Sequence, residues 1–90
     1  MNCVYILQSE KNGRYYIGST NDLNRRLDEH NSGKTKSLVG IRPLKLVFEK
    51  EFLLLHDARR VEKNLKRLKN RRIIEQIVKD GEIKGFAGMV

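Results

Sequence analysis

Residues 3 to 9 and 14 to 20 are rich in Val, Tyr, Ile and Leu, and the dipeptide Asn12-Gly13 lies between them. Short β-prone blocks around such a dipeptide predict a hairpin. Either a two-residue or a four-residue loop sets odd positions opposite even ones, which places Tyr5 and Tyr16 on one face. Tyr15 then points to the other face and reads as core. The four-residue loop is favoured because it puts Tyr5 opposite Gly18, where a ring has room, and makes Tyr16 its diagonal neighbour at roughly 7 to 8 Å. A three-residue loop would divide the two rings between the faces.

The period then becomes helical. Thr20 and Asn21 are both good N-caps, Leu23 and Leu27 form an apolar stripe, and Gly33 is a stop signal. Arg26 and His30, spaced i and i+4, project together from a neighbouring stripe. Alternation returns after Pro43 over Leu44 to Phe52, predicting a third strand with Leu44, Leu46 and Phe48 on one face. Ala58, Val61, Leu65 and Leu68 mark a second helix to about Asn70, and Ile73, Ile74, Ile77 and Val78 a last one stopped by Gly81. The expected fold is α/β (α+β): a small three-stranded, mostly antiparallel sheet flanked by helices, in the order ββαβαα. Residues 1–81 form one domain, 34–42 a basic loop without clear period, and 82–90 a short C-terminal tail.

This arrangement brings two phenols (Tyr5, Tyr16), a guanidinium (Arg26) and an imidazole (His30) within reach of one another. Such a set suits a phosphodiester: the cation and hydrogen-bond donors hold an anion, and the imidazole titrates near neutrality. His56, near the start of the second helix, reads as capping or surface.

Charge adds a polyanionic partner to this picture. Lys and Arg number 19 against 11 Asp and Glu, a formal net charge of +8. The stretch from Arg59 to Arg72 holds Arg59, Arg60, Lys63, Lys66, Arg67, Lys69, Arg71 and Arg72, with Glu62 its one acid. Arg59, Lys63, Lys66, Lys69, Arg71 and Arg72, with Lys34 and Lys36 in the basic loop, are the candidate nucleic-acid contacts. Contacts of this type supply affinity without reading sequence.

Other classes recede. Apolar runs such as Phe52–Leu55 are far short of the about 20 residues a membrane span needs, and no signal-peptide pattern opens the chain. A cytoplasmic location, without membrane, follows as the expectation. The single cysteine, Cys3, excludes an internal disulfide, and two histidines beside it do not assemble a zinc site.

The motifs Cys3-Val4-Tyr5 and Tyr16-Ile17-Gly18, Arg26 ten residues after Tyr16, His30 four beyond it, and a later helical glutamate resemble the GIY-YIG nuclease domain. The resemblance covers nearly the whole chain and is closest to the small stand-alone members. Cys3 stands where the first motif has glycine, Ser19 where the excision-repair branch carries lysine, and Ile74 at about the distance of an asparagine of other branches. Glu62 occupies the place of the family's metal-binding glutamate. At 100° per residue it lies about 40° from Ala58 and about 60° from Leu65, on the border of the buried stripe, and its alternative is a surface ion pair with Lys66.

The resemblance implies a metal-dependent endonuclease acting on DNA, with RNA as a second candidate, by structure-directed or non-specific nicking in repair or recombination. One carboxylate suits a single Mg²⁺ or Mn²⁺ that keeps several waters. Tyr5 is then the general base, Tyr16 a proton-chain or phosphate neighbour, Arg26 the stabiliser of developing charge, and His30 a base, relay or phosphate donor. A phenol of pKa about 10 is ionised about once in a thousand at pH 7, a deficit near 4 kcal/mol. Arg26, lysines and the metal are expected to lower it. The alternative is a catalytically inactive nucleic-acid-binding module, and a basic protein-interaction domain is a third reading. A monomer is assumed.

Overall fold

The computed structural model describes residues 1–32 and 43–83. Its elements are β1 (Asn2–Ser9), β2 (Tyr15–Thr20), α1 (Leu23–Asn31), β3 (Leu44–Phe52), α2 (Leu55–Leu68) and α3 (Arg71–Asp80). The order ββαβαα is the expected one. The sheet runs β2-β1-β3 and is antiparallel throughout. The basic loop with Lys34 and Lys36, the stop at Gly33 and tail positions 84–90 lie outside the described residues.

β1 is central, which explains its unbroken run Cys3-Val4-Tyr5-Ile6-Leu7: both faces are covered, and all five residues are buried. Val4 and Ile6 pack with Phe48 against Ala58, Val61 and Leu65 of α2 and Ile74 and Ile77 of α3. Tyr5 and Leu7 pack on the opposite face with Leu44, Tyr16 and the α1 stripe Leu23 and Leu27. Fully burying each Leu, Ile or Val contributes about 1.5–3 kcal/mol. Ile83, two residues past the Gly81 cap, also packs against the first cluster.

The hairpin takes the four-residue loop. Ser9 N–H donates to Arg14 O at 3.0 Å, Tyr5 faces Gly18, and Tyr16 faces Leu7. Gly13 adopts φ 74°, while the Ser9 hydroxyl accepts from the backbone N–H groups of Lys11 and Asn12. Arg71 of α3 braces this turn, donating to Gly13 O at 3.1 Å with its guanidinium 4.9 Å over the Tyr15 ring. Tyr15 accordingly packs against the α2–α3 cluster.

Two local expectations are corrected. α1 is capped by Asp22, whose side chain accepts from Arg25 N–H at 3.1 Å, and not by Thr20 or Asn21. Thr20 is still paired in β2 with Cys3, and its hydroxyl accepts from Asp22 N–H. The helix closes at Ser32, where Asn31 pins it to β3 through both backbone groups of Leu44. In β3, Leu44, Leu46 and Phe48 do not share a face. A bulge where Ile6 pairs with Phe48 but Leu7 with Leu46 inserts Val47, so Leu44 packs toward α1 and Phe48 toward α2 and α3.

Candidate active site

Edge strand β2, which carries Gly18, borders a groove of about 790 Å³ that wraps the sheet edge. Tyr5, Tyr16, Arg26 and His30 line it from the α1 side. Ser19, opposite Val4 in the pairing, faces α2, and Glu62 and Lys66 complete that wall. All five residues expected to carry catalysis and metal binding therefore border one space. Lys66, Lys69 and Arg71 also line it. Arg59, Lys63 and Arg72 are exposed beyond its lining, and His56 is exposed at the start of α2.

Tyr5 reaches across the neighbouring strand. A Cβ added at Gly18 would lie 2.3 Å from Tyr5 Oη and 2.4 Å from its Cζ, so only glycine admits the phenol. Passing over Gly18, the hydroxyl meets His30 Nε2 at 3.1 Å in a buried hydrogen bond, with ring centroids 6.1 Å apart. The i, i+4 spacing on α1 sets Arg26 one turn before His30. Arg26 Nε is buried without a hydrogen-bond partner among the described residues. A buried charged donor left unsatisfied is costly, and an anion in the groove would satisfy it.

Depth reverses the expected effect of charge on Tyr5. Burial raises its pKa above 10, Arg26 opposes this, and Glu62 adds to it. Desolvation thus outweighs the guanidinium, and the phenol holds its proton at neutral pH. His30 moves the other way, below 6.5, because burial and then Arg26 disfavour its charged form, with Glu29 opposing. A neutral imidazole accepting at Nε2 is the acid–base state consistent with both shifts.

Glu62 is held at both oxygens. The Ser19 hydroxyl donates to Oε1, and Lys66 Nζ lies 2.7 Å from Oε2. Its side chain is only 20% exposed, against 55% for Lys66. Among the described residues no three His, Cys, Asp or Glu side chains converge. A lone carboxylate on the wall of an open groove fits a hard divalent ion whose remaining ligands are waters and substrate oxygens.

Ser19 is the residue that sequence reasoning missed as a contributor. It registered as a departure from a family lysine, whereas its neighbourhood with Gly18 on one edge strand was the available signal. Arg71 is already engaged by Gly13 O, the Tyr15 ring and Glu75 Oε1 at 2.8 Å. No helix among the described residues is long and apolar enough to cross a membrane.

Comparisons with known proteins agree with this architecture. The GIY-YIG catalytic domain matches residues 1–75. A UPF0213 protein of Streptococcus pneumoniae serotype 4 is 42% identical over 67 residues, 73% of this chain and 67% of the relative. A UPF0213 protein of Halalkalibacterium halodurans is 42% identical over 76 residues, 83% of this chain and 79% of that one. The solution NMR structure of a UPF0213 protein from Bacillus halodurans covers 96% of both chains, with a TM-score of 0.56 and 33% identity. With its three-stranded antiparallel sheet, its tyrosine-bearing hairpin and this match, the chain belongs to the GIY-YIG family of nuclease domains.

Proposed function

We propose that this protein is a metal-dependent endonuclease that hydrolyses phosphodiester bonds in DNA by structure-directed or non-specific nicking, with RNA the second substrate candidate and repair or recombination the setting. The observation that carries the reading is the buried Arg26 Nε, without a hydrogen-bond partner among the described residues, beside the Tyr5–His30 hydrogen bond. It supports a site prepared for an anion next to a proton-transfer pair.

In this mechanism Arg26 binds a non-bridging oxygen of the scissile phosphate and stabilises the charge that develops there. The attacking water gives a proton to Tyr5 Oη as Tyr5 gives its own to His30 Nε2, so the phenol never ionises fully. Tyr16, on the same face, orients the phosphate. Glu62 would hold a Mg²⁺ or Mn²⁺ ion, which would supply Lewis-acid stabilisation of the charge developing on the leaving group. Burial of the pair excludes competing water from the relay.

The direct test is nicking of supercoiled, single-stranded and branched DNA with Mg²⁺, with Mn²⁺ and with chelator. Metal-dependent nicking is expected. Absence of cleavage on every substrate would transfer the site to the binding-module reading, which the ion pair of Glu62 with Lys66 favours.

The pH dependence identifies the proton acceptor. Cleavage requires neutral His30, whose folded pKa is depressed, so the rate rises with pH through a limb centred below 6.5 and is flat from about 7 to 9. A limb centred above 7 would assign the proton to another group. Binding has its own signature. If Arg59, Lys63, Lys66, Lys69 and Arg72 each neutralise one phosphate, log affinity for duplex falls with log salt at a slope of roughly −4.5. A slope near zero would exclude phosphate tracking by this face.

A further inference from the structure

We propose that Ser19 is the positioning residue for Glu62 and that Lys66 is its exchangeable counter-ion, displaced by the divalent cation and thereby released to a substrate phosphate. The inference rests on Glu62 being the metal ligand. It concerns two side chains whose effects on metal affinity are opposite in sign, which makes it separable from that assignment.

The two oxygens of Glu62 have partners of different character. Oε1 accepts from Ser19, which sits on β2 beside Gly18 and is fixed by the strand ladder through its pairing with Val4. A short side chain on a paired strand has little freedom, so this bond sets the carboxylate's rotation about a stem with three flexible torsions. Oε2 faces Lys66, whose ammonium ends a four-carbon stem and is 55% exposed. An exposed i, i+4 ion pair of this kind is weak and readily exchanged. A doubly charged cation approaching from the groove therefore displaces the lysine and leaves the serine bond intact.

A carboxylate offers about four acceptor positions. Two are used here, one by each partner. Loss of Lys66 frees the position on Oε2, while the Ser19 bond keeps the ligand from turning away toward solvent. Hydrogen-bonded partners of metal ligands typically account for 10- to 100-fold in metal affinity. Lys66 also lines the groove that holds Tyr5, Arg26 and His30. Once released, its ammonium is free to pair with a substrate phosphate in that groove. By linkage the effect is reciprocal: nucleic acid that captures Lys66 uncovers Glu62 and tightens metal binding.

The test is Mn²⁺ titration followed by the electron paramagnetic resonance of the free ion, on the full chain, first without nucleic acid. Ser19→Ala is expected to raise the Mn²⁺ Kd about tenfold, with Ser19→Thr, which keeps the hydroxyl, within about threefold of the parent. Lys66→Met is expected to lower the Kd at least about twofold. Adding a duplex with non-hydrolysable linkages should then tighten Mn²⁺ binding in the parent and much less in Lys66→Met. Circular dichroism melting of each variant checks folding, and the Thr variant covers a failure of Ser19→Ala to fold. Parental Kd values in both Ser19→Ala and Lys66→Met would overturn the proposal while leaving Glu62 as the ligand. Parent binding that Glu62→Gln does not weaken would overturn both together.

Discussion

Arg26→Ala is expected to lower the cleavage rate by about 10² to 10³ while changing nucleic-acid affinity, measured without metal, by less than about tenfold. The first figure is the usual cost of removing one preorganised donor from a developing oxyanion. Arg26 is prepared in that sense, since its Nε is buried and has no hydrogen-bond partner among the described residues. The second figure follows from charge: eighteen of the nineteen Lys and Arg residues remain. Glu62→Gln complements it. The amide oxygen still accepts from Ser19, but the negative charge that attracts a divalent cation is gone, so cleavage nearly vanishes with every Lys and Arg intact. Metal-free affinity again stays within about tenfold of the parent. Nicking at the parental rate by both variants would assign the activity to other residues or to a contaminant.

Most of the hairpin chemistry was legible because it depends on parity. Whether the loop had two residues or four, Tyr5 and Tyr16 shared a face, and room for a ring opposite Gly18 chose the longer loop that the structure contains. The helices were legible through their stripes, with Ala58, Val61 and Leu65 of α2 buried in the expected order. β3 was misread because one inserted residue, Val47, moves Phe48 to the other face, and a Leu-Lys-Leu-Val-Phe run carries no local sign of that bulge. Thr20, Asn21 and Asp22 are all competent caps, and the choice of Asp22 is made by the pairing of Thr20 with Cys3.

Depth was the least legible quantity. Sequence placed Arg26 near Tyr5 and so suggested a phenol made more acidic, but the helix that brings Arg26 also covers Tyr5, and desolvation outweighs the charge. The partnership of Ser19 with Glu62 spans 43 residues and depends on how α2 crosses the edge of β2. No spacing rule reaches that far. Proton transfer to His30 therefore emerges from packing, whereas the list of groups that take part was readable from their spacing.

The last expectation uses the closest approach in the site. Gly18→Ala places a methyl within 2.3 Å of Tyr5 Oη, so the phenol must leave its position over β2 and its hydrogen bond to His30 is lost. Forced displacement of a packed ring costs about 1–3 kcal/mol of stability. The proton relay contributes about 10² to 10⁴ in rate, and cleavage should fall by an amount in that range. Metal-free DNA affinity should not change, because no Lys or Arg is touched. Tyr5→Leu removes the end of the ring and with it the obstacle. In that background Gly18→Ala should cost less than about 0.5 kcal/mol, since alanine is otherwise favoured over glycine within a strand, and the double variant should cleave no more slowly than Tyr5→Leu alone. Chemical denaturation of the four proteins of this cycle gives the coupling energy between the two positions. Equal destabilisation by Gly18→Ala in both backgrounds would separate the glycine from Tyr5, and a Gly18→Ala variant that nicks DNA at the parental rate would remove the Tyr5–His30 bond from the mechanism.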